Sequence, residues 1–399
     1  MSKKEIRNIP ELRFPEFEKE DEWNEETLIG ISDFINEKTS LDKLSLSNYI
    51  STENLLADFA GVKISSKLPD TKTVTAFKEN DILISNIRPY LNKIWSATFE
   101  GGASNDVLVI RAKEQINNKY LASLLMNEKF INYVMKGAKG VKMPRGDISL
   151  IKKYPLSVPV SDTEQKKIAD CLSSIDNLIS SQTKKVEVLK EHKKGLMQNL
   201  FPTDGENVPK FRFPEFENEP MWDRKTFNKI SDNLDNLRIP LTANMRIKGS
   251  IPYYGASGII DYVKDFIFNE DLLCISEDGA NLVVRTYPIA FSISGKTWVN
   301  NHAHVLKFKN KYTQIIVENY LNFIKIDDYL TGMAQPKLNK AMLNKIPIPL
   351  PEKKEQEKIA KCLSSIDNNI ESTTKKVEEL KAHKKGLTQQ LFPNSEVNQ

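Results

Sequence analysis

Residues 164–202 read EQKKIADCLSSIDNLISSQTKKVEVLKEHKKGLMQNLFP, and residues 355–393 read EQEKIAKCLSSIDNNIESTTKKVEELKAHKKGLTQQLFP; 30 of the 39 positions are identical. Apolar residues recur in both at alternating spacings of three and four, which is the pattern of a helix with one narrow buried seam. With Ile168, Ile175, Gln182, Leu189 and Leu196 at heptad position d, position a holds Leu172, Ile179, Val186, Lys193 and Leu200. The second copy places Ile359, Ile366, Thr373, Leu380 and Leu387 at d, and Leu363, Ile370, Val377, Lys384 and Leu391 at a. Five unbroken heptads predict a coiled-coil seam. Ser161 and Glu164 have the spacing of a capping box at the first start, a signal that the second start, PEKKEQ, lacks. LFP ends both copies, since proline disrupts a continuing helix.

Connectivity favours an antiparallel pair. A helix of about 37 residues is roughly 55 Å long. The chain leaves the first copy near Leu200 and must finish a globular domain at the start of the second copy. Antiparallel helices let that domain stay at one end, whereas parallel helices would stretch it along the whole rod. In a symmetric register Gln182 and Thr373 would meet at the midpoint, where a polar pair fixes register at some cost in stability. Cys171 and Cys362 would then lie roughly 33 Å apart at about 1.5 Å per residue, too far for a disulfide.

The duplication extends beyond the helices. PELRFPEFEKEDEW (10–23) is matched by PKFRFPEFENEPMW (209–222), and ENDILIS (79–85) by EDLLCIS (270–276), an apolar run of the kind that forms a buried strand. GVKMPR (140–145) corresponds to GMAQPK (332–337), and KKYPLSVP to NKIPIPLP just ahead of each helix. The order is variable domain, repeated helix, variable domain, repeated helix. This predicts an α+β fold of two globular domains alternating with two long, antiparallel coiled-coil helices, a pseudo-two-fold tandem repeat.

Composition sets broad limits. The chain of 399 residues carries a net charge of only +4, which by itself does not mark a nucleic-acid binder. Its distribution is more informative: residues 1–26 hold nine acidic and five basic residues, whereas residues 129–153 hold seven basic residues against Asp147. Three cysteines, no apolar run near 18 residues and no apolar leader predict a reduced, cytoplasmic chain that does not engage a membrane.

RFPEF at both domain entrances, the EQ that opens each helix, CLSSID, HKKGL and the LFP exits resemble the specificity (S) subunit of type I restriction-modification systems. DILISNIRPYLNKIW and SNDVLVI in the first domain, and IPYYGASGIIDY, ISEDGANLV and WVNNHAHVL in the second, are similar to two types of target-recognition domain. The resemblance implies a non-catalytic subunit that reads a split target in double-stranded DNA. It also implies that the helices space the domains and dock two methyltransferase subunits, to which restriction subunits add. S-adenosylmethionine, ATP and Mg would then belong to those partners, and this chain would bind no cofactor. The corresponding boundaries are 1–163 and 203–354 for the recognition domains, and 164–202 and 355–399 for the spacer helices with the C-terminal tail. Readers of duplex DNA place half-sites about one helical turn, roughly 34 Å, apart, a spacing that two domains on a 55 Å rod can meet. Unlike domains on like helices predict an asymmetric, bipartite target.

Base reading calls for Arg or Lys at guanine, Asn or Gln at adenine and apolar groups at the thymine methyl. The proline-containing loop SNIRPYLNK offers Asn86, Arg88, Tyr90, Asn92 and Lys93, while Lys136, Lys139, Lys142 and Arg145 cluster with glycines as candidate phosphate contacts. The second domain offers Tyr253, Tyr254, Ser257, Asn281, Lys296, Asn301, His302 and Lys337. His302 and His304 would share a face if NHAHV were a strand, but no second ligand pair stands nearby, so no metal is expected. The plain alternatives are solvated turns for the polar residues and a backbone turn for YGASG.

Other chemistry fails on spacing. SGKT has Ala290 where a phosphate loop requires glycine, GASG lacks the spacing of a nucleophile elbow, and IRPY departs from the amino-methyltransferase motif. Gly195 and Gly386, at outward positions inside HKKGL, each cost about 1 kcal/mol relative to alanine; they are candidate docking points for a partner backbone, the plain alternative being fraying near the helix end. The competing class is a coiled-coil interaction scaffold whose globular domains bind something other than DNA.

Overall fold

The duplicated stretches form two helices of 39 residues each, Asp162–Leu200 and Lys353–Leu391. This is seen in a computed structural model that describes residues 8–203, 205–332 and 335–393; Met333 and Ala334 of the GMAQPK segment lie outside them. Every a and d position of the heptad pattern is buried or half-buried, as a seam requires. Among the described residues the chain divides into two compact units, one built from residues 8–182 with 376–393 and the other from 183–375. Each unit contains half of each long helix.

The helices run antiparallel within each unit. In the first unit Ile168 and Leu172 share a core with Leu391 and Phe392, and further along Asp176 pairs with Lys384 at 2.6 Å. In the second unit Leu200 and Met197 share a core with Ile359 and Leu363, and Lys193 pairs with Asp367 at 2.6 Å. The seam lysines thus reach the aspartates of the two CLSSID segments. These pairs are part-exposed and contribute at most about 1 kcal/mol each. Gln182 falls in the first unit and the buried Thr373 in the second.

Each globular body contains two four-stranded sheets. In the first unit one sheet has the order Ser32–Phe34, Val107–Ala112, Ile82–Ser85 and Ile94–Ser96; the other has Lys38–Ser40, Thr73–Phe77, Gly101–Ala103 and Tyr49–Ile50. In the second unit the orders are Ser231–Asn233, Ala303–Phe308, Leu272–Ser276 and Ala290–Ile293, and Gly258–Val263, Lys248–Gly255, Lys296–Val299 and Phe268–Asn269. The matched runs DILIS and DLLCIS are equivalent inner strands, buried along their whole length. An entrance strand pairs with an exit strand in both bodies: Asn24–Thr27 with Pro155–Val158, and Asp223–Lys225 with Ile348–Leu350.

The sequence motifs are the fasteners between body and helix. Arg13 of the first RFPEF forms a two-pronged pair with Glu164, both contacts at 2.8 Å, and Arg212 of the second pairs with Glu355 at 2.9 and 2.7 Å. Only half of the expected capping box forms. Ser161 Oγ accepts the Glu164 amide at 3.4 Å, but the Glu164 carboxylate is taken by Arg13 and by Trp23 Nε1. The neighbouring glutamines tie each helix to its lead-in: Gln165 Nε2 donates to the Pro159 carbonyl, and Gln356 Nε2 to that of Pro351. At the exits, Phe392 packs on Tyr120 and Phe201 on Tyr320. Each body is therefore held by the start of one long helix and the end of the other.

Candidate nucleic-acid interface

The inner strand Ile82–Ser85 runs straight into the SNIRPYLNK loop, which turns sharply. Arg88 and Asn92 both adopt left-handed backbone, at φ 52° and 54°, around a short 3-10 turn, Pro89–Leu91. Asparagine tolerates that region; arginine there is uncommon and requires support from its surroundings. The support is the basic segment. The Arg88 amide donates to the Pro144 carbonyl at 2.8 Å, and the Gly146 amide to that of Asn86 at 3.1 Å. Lys139 and Arg145 exchange both backbone hydrogen bonds at 2.9 Å, closing residues 140–144 into a hairpin. The two first-domain segments proposed for DNA contact are therefore one structural element.

The side chains on this element divide by role. Arg88 and Tyr90 are exposed, as are Lys136, Lys139, Lys142 and Arg145. Lys139 pairs with Asp147 at 3.2 Å and Arg145 with Asp106 at 3.1 Å, both at the surface. The Lys139 hydrogen bond, together with the amides of Leu150 and Ser149, holds the Asp147 carboxyl below its ordinary range. Asn92 and Lys93 serve the fold instead. Asn92 Nδ2 donates to Asp58 at 3.0 Å and Lys93 Nζ to the Thr52 carbonyl at 2.7 Å. Burial, with Lys63 and Arg88 nearby, lowers the Lys93 pKa. Asn86 Oδ1 is buried without a hydrogen-bond partner, so this side chain also faces inward.

The second body builds the same element from different residues. After the inner strand Leu272–Ser276, the Gly279 amide donates to the Pro336 carbonyl at 3.1 Å, and Thr331 and Lys337 exchange backbone hydrogen bonds at 2.8 Å. Gly279, at φ 105°, occupies the place of Arg88. The Glu277 amide donates to the His302 carbonyl at 2.8 Å, bringing in the turn that carries exposed Asn301 and His302. Ser276 Oγ donates to the Ala256 carbonyl, which brings the exposed Ser257 turn to the same place. Lys337 Nζ lies 3.4 Å from Glu277, and His302 Nδ1 lies 2.8 Å from Asp278.

Several second-domain candidates have structural work. Tyr253 is buried, its hydroxyl bonded to Leu241 and its ring beneath the Arg246 guanidinium, so it is not placed to read a base. Tyr254 is half-buried and stacks on Phe291. Asn281 clamps Tyr287 through both backbone groups, at 2.9 and 3.0 Å. Lys296 stands over the Phe266 ring and pairs with Asn269 rather than joining the loop cluster. The histidines do not share a strand face: His302 precedes Ala303–Phe308 and is exposed, while His304 is buried.

His304 is a polar anchor that the metal question obscured in the sequence. Its Nδ1 lies 2.7 Å from Asp235 and its Nε2 2.7 Å from the Leu338 carbonyl. Both partners accept hydrogen bonds, and together they hold the ring in one orientation. Burial pushes Asp235 up, but the His304 hydrogen bond and charge outweigh it and hold the carboxyl at about 2. Arg238 extends the network to Glu277 at 2.8 Å, at the start of the loop that follows Leu272–Ser276. Among the described residues no group of three His, Cys, Asp or Glu side chains is placed to hold a metal. Burial raises the pKa of the Cys274 thiol. Gly195 and Gly386 have open space where a side chain would start.

Comparison with known proteins agrees with this duplicated arrangement. The family model described as type I restriction modification DNA specificity domain matches residues 19–191 and again 222–382. A chain of Haemophilus influenzae assigned as a type I restriction enzyme specificity subunit is 35% identical over 142 residues, 36% of each chain. The MjaVIII type I restriction enzyme specificity subunit of Methanocaldococcus jannaschii is 27% identical over 86% of this chain and 84% of its own. The crystal structure of a type I restriction-modification system S subunit from M. genitalium shares the fold, with a TM-score of 0.68 at 16% identity over 97% of this chain and 99% of that one.

Proposed function

Because the chain belongs to the type I restriction modification DNA specificity family, we propose that it reads an asymmetric, two-part sequence in duplex DNA through the two loop-and-hairpin elements. It is a type I specificity subunit with two target-recognition domains. The observation that carries the proposal is the repeated backbone scheme with unlike contents. The same amide-to-carbonyl bond joins Arg88 to Pro144 in one body and Gly279 to Pro336 in the other. Identical scaffolding with different side chains is what two unlike half-sites require. Lys136, Lys139, Lys142 and Arg145 meet phosphates and set the position, while Arg88 and Tyr90 meet base edges. Asn301, His302, Ser257 and Lys337 take the corresponding tasks in the second body.

The remaining chemistry belongs to partner chains. Two methyltransferase subunits dock on the long helices with S-adenosylmethionine, and restriction subunits join with ATP and Mg. The family assignment displaces the scaffold alternative. Among the described residues no helix is long and apolar enough to cross a membrane, and the site of action is the DNA of the cytoplasm. Selection of bound oligonucleotides from a random duplex pool, using the chain with its methyltransferase at two salt concentrations, tests the proposal. Enrichment of one split motif supports it. Binding that lacks any sequence preference at the higher salt, where phosphate attraction weakens, overturns it.

A further inference from the structure

The hairpin of residues 140–144 carries a feature that phosphate binding does not explain. Val141 is completely exposed at its tip, and Met143 is half-exposed beside it. Single exposed apolar residues are ordinary. Here the two share a five-residue projection whose base is closed by the reciprocal Lys139–Arg145 hydrogen bonds and pinned to the Arg88 loop through Pro144 and Gly146. Gly140, at φ 98°, makes the turn that lifts Val141 away from the body. Lys142 lies between Val141 and Met143 in the projection, exposed Lys139 and Arg145 flank it at its base, and the neighbouring loop presents Arg88 and Tyr90. The ion pairs of Lys139 and Arg145 are surface pairs that exchange for phosphate at little cost.

We propose that Val141 and Met143 form an apolar finger that enters the major groove of the first half-site and recognises a thymine through its C5-methyl group. The proposal deepens the DNA-reading assignment of this domain and rests on it. Charge complementarity selects the occupant, because an apolar tip carrying Lys142 on a base flanked by Lys139 and Arg145 suits a polyanion that displays an apolar group. In the major groove of duplex DNA that group is the thymine methyl. The closed base holds the finger in place before binding, so little conformational freedom is lost on contact. The matching segment of the second domain, GMAQPK, has Met333 in place of Val141 and Gln335 in place of Met143; Met333 lies outside the described residues, so the inference concerns the first half-site alone.

The test uses the chain bound to its methyltransferase and the duplex found by selection. Each thymine of the first half-site is replaced in turn by uracil, which removes only the methyl group. For the unsubstituted complex, one replacement should weaken binding about fourfold, the worth of one buried methylene-sized group. In Val141→Ser with Met143→Ser the native duplex should weaken by at least that much, and the uracil effect should vanish. Val141→Thr, which keeps the shape, should show an intermediate loss. Lys142→Ala should weaken all duplexes equally and leave the uracil effect intact. If no uracil replacement matters, or if the serine variant responds to uracil as the parent does, the finger is wrong although the domain still reads DNA. If the parent complex shows no sequence preference, the underlying assignment falls with it.

Discussion

Arg13 and Glu164 lie 151 positions apart and meet in a two-pronged ion pair whose side chains are 6% and 1% exposed. Arg212 and Glu355, 143 positions apart, repeat the arrangement at 7% and 1%. The pairs join the entrance of each globular body to the first turn of the helix that follows it. A buried pair is costly to break because the survivor keeps its charge without a partner.

Arg13→Ala or Glu164→Ala should therefore destabilise the first unit by about 3–5 kcal/mol. Replacing both residues with leucine should cost much less, since no orphaned charge remains. Chemical denaturation followed through Trp23, which donates to Glu164, reads the difference. Equal losses for the single and double variants would show that packing, not charge pairing, fastens the domain.

The exposed lysines of the first element should act on DNA without choosing sequence. Lys142→Ala should weaken every duplex alike and lower the slope of log K against log salt by about 0.9, the share of one phosphate contact. Arg88→Ala should instead relax the preference at one position of the first half-site and leave the second half unchanged. Salt titration and oligonucleotide selection with each variant separate the two roles.

Gly195→Ala with Gly386→Ala tests the docking idea with little interference from the fold. A Cβ at either site meets no atom within 4 Å among the described residues, and alanine favours helix over glycine by about 1 kcal/mol. The double variant should be as stable as the parent or more so, yet lose the methyltransferase on co-purification. Unchanged co-purification removes these glycines as the contact.

The Asp235–His304 anchor sets an acid limit on the second unit. The carboxyl is held at about 2 in the fold against roughly 3.9 in the unfolded chain. Its contribution, at most about 2–3 kcal/mol and reduced by the solvent screening of its part-exposed carboxyl, is complete above the unfolded value and is lost as pH falls through the folded one. The stability gap between the parent and Asp235→Asn should accordingly be constant near pH 6 and narrow below about pH 4. A gap that does not change down to pH 3 would contradict the assignment.

Much of this architecture was legible because repetition exposes it. Heptad spacing marked the seam, and the link from Leu200 onward determined the antiparallel direction. The motifs RFPEF and EQ were visible as repeats, but their meeting was not, because spacing along a chain does not reveal which distant Arg and Glu will be buried together. Among the site residues, clustering of lysines with glycine and proline located the first element. Composition could not distinguish Tyr253, whose ring the fold buries, from Tyr90, which it exposes. Nor could it separate Asn281, committed to Tyr287, from Asn301 at the surface. Asparagine and tyrosine suit both turns and bases, and only the third dimension shows which of them the fold buries or ties down.

The central claim is that one chain specifies two different halves of one DNA sequence. Mapping methylated adenines across a genome, after expressing the chain with its methyltransferase, tests it most directly. The expected result is a single split motif with unlike halves, altered only in the first half by Arg88→Ala. Two unrelated short motifs, or no motif, would contradict it.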